Sequence, residues 1–445
     1  MLNDSRIKLW LSKLPDHWNS DSPAVLKRKT RHDQLTPPHS LNGADMMGQT
    51  PKRPRIGGDD QTTPRAKRKG SKASSISSTS LPSSLASSQQ GDMSTTASSP
   101  RRQLMGLRLT AGGMECRQLD TDDPPTVAAS LVSEMVAINV GMDVLPQGMK
   151  DEILHLVKEH MLEPKLWQNA FTHTDMSKLP GRIPNWAELE EIRVQAKECF
   201  NHGHEEVGWN MEVHHPLLKS VFRSSDPNQP LDFMSCATAR PHRNFLQWSV
   251  RQKLVDICFY SKTSRDIQAL KDLGRRTVTD TVNHTDYQPL QLRPIVLGIE
   301  TKHPSKDLDT AQLQMGVWQS AHWKFLELAV ADKVRSTLPP DTDQETVFAA
   351  TKTALMELKF LPGIIIQGHR WCFVFSTLES EAEGKSEAKT ILWVEQEFGS
   401  TQNMLKMYQT IAGLRRLAGW ATDVYMPWYR KYVLRSDTLV DDWTG

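Results

Sequence analysis

The chain has 445 residues, with 54 Lys and Arg, 52 Asp and Glu, a formal net charge of +2 and a hydrophobic share of 38%. That share is low for a compact protein of this length and leaves part of the chain outside any folded core. The five cysteines, Cys116, Cys199, Cys236, Cys258 and Cys372, are scattered and never spaced C-x-x-C, which argues against a disulfide framework or a zinc knuckle and points to a reducing compartment.

The small net charge conceals two unlike parts. Residues 1–110 hold 18 basic against 8 acidic residues, and the remainder holds 36 against 44. Nucleic-acid affinity is largely phosphate neutralisation, so an acidic body argues against a broad DNA-coating surface while leaving room for a local basic cleft. The first 20 residues carry charges throughout and lack the apolar run of a secretory leader. The most apolar long window, residues 127–145, contains Glu134, Asn139 and Asp143, so it reads as an amphipathic helix and not as a membrane span. The expectation is a soluble, intracellular protein that is not secreted.

Residues 1–18 form a short amphipathic segment around Ile7, Leu9, Trp10, Leu11 and Leu14, suited to docking on a protein partner. Residues 19–125 are expected to be disordered: between 71 and 100, 13 of 30 residues are serine and none is aromatic, too little apolar surface to offset chain entropy. Within that stretch lie the basic clusters KRKTR (27–31), KRPR (52–55) and RAKRK (65–69). They fit a nuclear-import signal, a nonspecific nucleic-acid tether, or simply a solvated tail.

The folded domain is expected over 126–435, followed by a tail at 436–445. Helical spacing appears at 146–161, with Met149, Ile153, Leu156 and Val157 on one face. Asn185 followed by Glu188 is a capping-box pattern for a helix over 185–200. A further helix over 205–222 places Val207, Met211, Leu218, Val221 and Phe222 on one stripe, with a kink expected at Pro216. The period then changes: 232–240, 253–262 and 294–302 read as strands. A helix follows over 309–329 with Asp309 as N-cap. Residues 362–368 and 370–378 read as a hairpin turning at Gly368-His369, 390–397 as another strand, and 401–420 as a last strong helix. This order gives an α/β or α+β class, a mixed sheet covered by helices.

The strand PIVLGIETK ends in Glu300, Thr301 and Lys302. Glu300 and Lys302 are two apart and share a face. Opposite charges on a buried strand are costly unless they pair or bind something. Asp256 interrupts the apolar run of the preceding strand (LVDICF). If the two strands are neighbours, Asp256 and Glu300 meet and offer oxygens to a hard cation, with Lys302 beside them; the other reading is a buried ion-pair network. His202, His204, His214 and His215 match no closed zinc spacing. NHTDY reads as a turn motif, with Asn283 and Asp286 bonding to backbone, more readily than as a site pair of His284 and Asp286, and Trp318 and Trp323 read as core.

Asp256 with Glu300-Thr301-Lys302 resembles the D…E-x-K signature of PD-(D/E)XK nucleases, the restriction-endonuclease-like fold. WNMEVHHPLL, NHTDY, IETK, QLQMGVWQSAHWKF, LPGIIIQGH and QTIAGLRRLAGW are similar to segments of the fungal PD-(D/E)XK nuclease-like proteins, over about residues 150–432. The resemblance implies a Mg²⁺- or Mn²⁺-dependent nuclease acting on nucleic acid, DNA first. It implies metal ligation by Asp256, Glu300, the Thr301 carbonyl and Glu212 as the first-motif acid. It assigns Lys302 to orient the attacking water and Gln314, four before Trp318, to face the site. The residue before Asp256 is Val255 where the family pattern often has proline, and 44 positions separate Asp256 from Glu300, so an excursion over roughly 263–293 is expected to gate the cleft or contact a partner. The alternative is a nuclease-like scaffold without catalysis.

Overall fold

The computed structural model describes residues 99–223, 229–246, 255–262, 265–304, 307–379 and 388–435. The segment at 1–18, the three basic clusters, most of the serine-rich stretch and the tail at 436–445 lie outside the described residues.

In chain order the elements are α1 (Pro100–Leu109), β1 (Met114–Gln118), α2 (Ala129–Asn139), β2 (Leu145–Pro146), α3 (Lys150–Glu159), β3 (Phe171–Thr172), α4 (Trp186–Asn201), α5 (Glu206–Trp209), α6 (His215–Phe222), β4 (Leu231–Ser235), β5 (Ile257–Ser261), α7 (Ile267–Arg276), β6 (Ile295–Lys302), α8 (Leu308–Thr337), α9 (Gln344–Leu358), β7 (Leu361–Gln367), β8 (Arg370–Glu379), β9 (Lys389–Ser400), α10 (Met404–Trp420) and α11 (Met426–Tyr432). Seven strands make one mixed sheet in the order β1-β9-β8-β7-β6-β5-β4, and β2 and β3 pair separately. The expected mixed sheet flanked by helices is what the chain forms.

β6 lies between β5, antiparallel, and β7, parallel. A parallel neighbour requires a crossover, and α8 and α9 supply it. Every residue of β6 is buried, which is why it reads as an almost unbroken aliphatic run. One face of the sheet packs on the first half of α8 through Leu313, Met315, Val317 and Trp318. Gly298 permits this close approach, because a Cβ there would lie 3.2 Å from the Trp318 indole nitrogen. The opposite face meets α6, where Phe222 sets its ring edge to face against Phe259 at 4.9 Å. Trp318 and Trp323 are core, as expected. β7 and β8 turn at Gly368-His369, with Gln367 opposite Arg370 and Gly368 at φ +54°. The capping box is present: Glu188 N–H donates to Asn185 Oδ1 and Asn185 N–H to Glu188 Oε2.

Three features differ from the sequence reading. The ordered body begins before residue 126: α1 and β1 fall inside the stretch read as disordered, and β1 runs parallel to the long strand β9. Composition averaged over a hundred residues hid them, since β1 is short and α1 follows directly on the serine run. The helix over 205–222 is interrupted by a π-helical turn at Asn210–His214, immediately before Pro216. The extra residue in that turn rotates the preceding face, so Val207 and Met211 are 67% and 68% exposed while Trp209, Val213 and His214 are buried. α9 is not foreseen by the sequence pattern, although Asp343 caps it by accepting from Thr346 N–H. Where it is described, the 263–293 excursion contains α7, and Asn283 donates through Nδ2 to Leu290 O and Arg293 O and accepts at Oδ1 from Ile295 N–H. Asn283 thus makes the expected side-chain-to-backbone bonds, but to residues seven to twelve positions on and not within a local turn.

The place of β1 in the core is testable. Met114 is fully buried, and Gly316 of α8 leaves the space its thioether fills. Met114→Ala should cost about 2–5 kcal/mol in urea denaturation. A loss below about 0.5 kcal/mol, the level of ordinary surface substitutions, would contradict the packing of β1 against α8.

Candidate active site at the end of the central strand

Asp256 sits one residue before β5, at its start and not inside it. Its N–H donates to Ile299 O, and its carbonyl accepts from Cys236 N–H. Ile257 pairs with Ile299, so the next position brings Asp256 beside Glu300. The two expected strands are neighbours, and Asp256, Glu300, Thr301 and Lys302 converge.

Asp256 is fixed through one oxygen. Its Oδ2 accepts from Thr301 N–H at 2.8 Å and from the Thr301 hydroxyl at 2.9 Å. The same hydroxyl accepts from Asn210 Nδ2 at 2.8 Å. Asn210 in turn meets His214 Nδ1 through Oδ1, and His214 Nε2 faces Gly368 O, each at 2.9 Å. A buried polar chain thus links the hairpin turn, the π-helical turn and Asp256. Burial holds the His214 imidazole down to about 4, so it is neutral in this chain at physiological pH.

Glu300 is wholly buried, and neither carboxylate oxygen receives a hydrogen bond. The ammonium of Lys302 lies 2.5 Å from Oε1 as an ion pair without hydrogen-bond alignment. Burial, then the nearby Asp256 carboxylate, pushes the Glu300 carboxyl well above its ordinary range, with Lys302 opposing. Burial draws the Lys302 amine down, but Glu300, Glu206 and Asp256 more than offset this and leave it above its ordinary range. Lys302 Nζ also donates to Thr301 O at 2.7 Å and to Glu206 Oε2 at 3.2 Å. The ammonium is therefore encircled by three oxygens from Glu206, Glu300 and Thr301.

Sequence reasoning missed Glu206. Glu212, expected as the first-motif acid, has an exposed side chain, and the acid that reaches Lys302 is Glu206. Burial, with Asp256 adding to it, raises the Glu206 carboxyl, and Lys302 opposes. A signal for it was present: Glu206, Asn210 and His214 recur every four residues, a polar stripe with no purpose on an apolar helix face. Gln314 is half-buried on α8, one turn before Trp318.

Acidic oxygens with unmet hydrogen-bonding capacity at the mouth of a buried strand suit a hard divalent cation. Among the described residues no group of three or more His, Cys, Asp or Glu is drawn together as a preformed metal cluster. The ammonium of Lys302 stands at the centre of the acidic set. The family model of the PD-(D/E)XK nuclease superfamily matches residues 152–426, more than half of the chain. The chain belongs to the PD-(D/E)XK nuclease superfamily. Comparisons with curated proteins and with solved structures gave no match. The matched range includes Asp256, Glu300 and Lys302, which the mixed sheet brings together. Among the described residues, no helix is long and apolar enough to cross a membrane.

Proposed function

We propose that this chain is a divalent-metal-dependent nuclease that hydrolyses phosphodiester bonds, with DNA as its substrate. The observation that carries the reading is the Glu300 carboxyl: wholly buried beside Asp256, with one oxygen ion-paired to Lys302 and the other without a partner. Lys302 answers only one of its oxygens, and a cation-binding acid needs an oxygen left free. Asp256, Glu300, Glu206 and the Thr301 carbonyl would hold Mg²⁺ or Mn²⁺, with Glu206 in the part first assigned to Glu212. When bound, the ion supplies Lewis-acid charge that offsets the negative charge gathering on the phosphate.

The chain's own residues do the rest. Asn210 and Thr301 orient Asp256 through hydrogen bonds, so its second oxygen is aimed without rearrangement. Lys302, released from Thr301 O, has N–H donors with which to hold the attacking water. Gln314 is placed by analogy at the rim of the site. The water oxygen bonds to phosphorus as the bond to the leaving sugar oxygen breaks, and the water's proton passes to solvent or to the leaving oxygen.

The ion pair of Lys302 with Glu300 and Glu206 favours a second reading, a scaffold whose acids are neutralised internally. Incubation of purified protein with Mg²⁺ or Mn²⁺ against single-stranded, duplex and branched DNA and RNA decides between the two. Metal-dependent cleavage supports the nuclease. Absence of both cleavage and Mg²⁺ binding in calorimetric titration leaves the scaffold. We further place the protein in the nucleus on the strength of the clusters at 52–55 and 65–69. Replacing Lys52, Arg53, Arg55, Lys67, Arg68 and Lys69 with alanine in a fluorescent fusion should release it to the cytosol; an unchanged distribution would remove the claim.

A further inference from the structure

Directly behind the acidic site, Cys236 and Cys258 are both fully buried, with their sulfurs 2.7 Å apart. Ordinary contact between apolar side chains begins at about 4 Å, and a disulfide bond is about 2.05 Å long. The backbone explains the approach. Met234 of β4 pairs with Cys258 of β5, and Cys236 N–H donates to Asp256 O. Cys236 and Cys258 are therefore diagonal neighbours on one face of an antiparallel pair, and the sulfur separation shows that their side chains meet there. The Cys236 thiol also approaches Val255 O at 3.5 Å.

We propose that Cys236 and Cys258 are an oxidation site, forming a reversible intramolecular disulfide when the protein meets a hydroperoxide. Cysteine spacing gave no hint of it, because 22 residues separate the two; only strand pairing unites them. One sulfur attacks a peroxide oxygen, the O–O bond breaks, and water leaves with a sulfenic acid formed. The second sulfur attacks that sulfenic sulfur and expels a second water. Two thiols lose two electrons and two protons, and one hydrogen peroxide becomes two waters. A dithiol reductant reverses the change by thiol exchange. The bridge would tie the end of β4 to β5 two residues past Asp256, at the strand end that carries the acid.

The test uses the full chain, treated with hydrogen peroxide or left reduced, then denatured, alkylated with N-ethylmaleimide and digested with trypsin. Cleavage at Arg243, Arg251 and Lys253 separates the two cysteines. The expected result is one linked peptide pair holding Cys236 and Cys258, lighter than the two free peptides by two hydrogens, while Cys116, Cys199 and Cys372 remain alkylated. Dithiothreitol should restore alkylation of both. Because a closed loop restricts the unfolded chain, the oxidised protein should melt several degrees higher than the reduced one. Cys258→Ala should abolish that difference. The wild-type peptide map stands even if the variant folds poorly. Alkylation of all five cysteines after peroxide, a different linked pair, or over-oxidation of Cys236 with Cys258 untouched would overturn the proposal.

Discussion

Asp256→Asn should lower metal-dependent cleavage on the order of 10²–10³-fold, the effect of removing one preorganised electrostatic group from a water-poor site. The fold should be unaffected. An asparagine oxygen in place of Oδ2 still accepts from the Thr301 N–H and hydroxyl that hold Asp256 now. What disappears is one ligand charge, so the affinity for Mg²⁺ measured calorimetrically should fall with the rate. Removing that charge also relieves repulsion on Glu300, for which Asp256 is the second cause of its raised carboxyl. The metal-free variant should therefore be at least as stable as the parent. A variant that cleaves DNA at the parental rate would detach Asp256 from the chemistry, whatever the metal titration shows.

Lys302→Ala should have the largest effect on stability of any change at the site. It removes the ammonium shared by Glu300 and Glu206 and leaves a buried carboxyl without its counter-charge, a loss of about 3–5 kcal/mol when a buried pair is broken. The partly exposed Glu206 contributes the smaller share because solvent screens it. The pH dependence follows from the shifts. The Glu300 carboxyl is raised in the folded state, so between its unfolded and folded values the folded protein binds more protons than the unfolded chain, and stability falls as pH rises through that window. Without Lys302 the carboxyl is raised further. The deficit of the variant should then be small below the ordinary glutamate range, near 4.3, and grow toward neutral pH. Glu300→Gln removes the titrating carboxyl but leaves the buried Lys302 ammonium with only Glu206 and the Thr301 carbonyl, so it should be destabilised and its stability should vary less with pH than the parent's between the acidic and neutral ranges. Urea denaturation in the acidic and neutral ranges, with chelator and then with Mg²⁺, checks both. If Mg²⁺ restores part of the stability lost by Lys302→Ala, the acids accept a metal in place of the ammonium. A deficit independent of pH would contradict the assigned cause of the Glu300 shift.

Much of the molecule is legible in its amino-acid order. Periodicity locates β4 to β9 and α8, the capping box marks α4, and the charges ending β6 point to Asp256 as their partner. These features are local: a side-chain period of two or of 3.6, a cap three residues long, an acid set in an apolar run. That Glu206 and not Glu212 reaches Lys302 is hidden from the sequence, because it assigns faces by counting along a regular helix, and the π-helical turn at Asn210–His214 adds a residue that the count omits. α1 and β1 are lost to the composition of their surroundings, since the pairing with β9 that orders β1 lies more than 270 positions away.

The sequence by itself determined the class of fold and the family, and it singled out Asp256, Glu300 and Lys302 as neighbours. These rest on residue type, order and short-range spacing, which the chain carries in any conformation. Only the tertiary structure decided that Lys302 is ringed by Glu300, Glu206 and the Thr301 carbonyl, that the oxygens of Glu300 lack hydrogen bonds, and that two cysteines 22 residues apart nearly touch. Each of these is a distance between atoms brought together by strand register and helix packing, and the burial that gives each its energetic weight exists only once the sheet and its covering helices have closed around it.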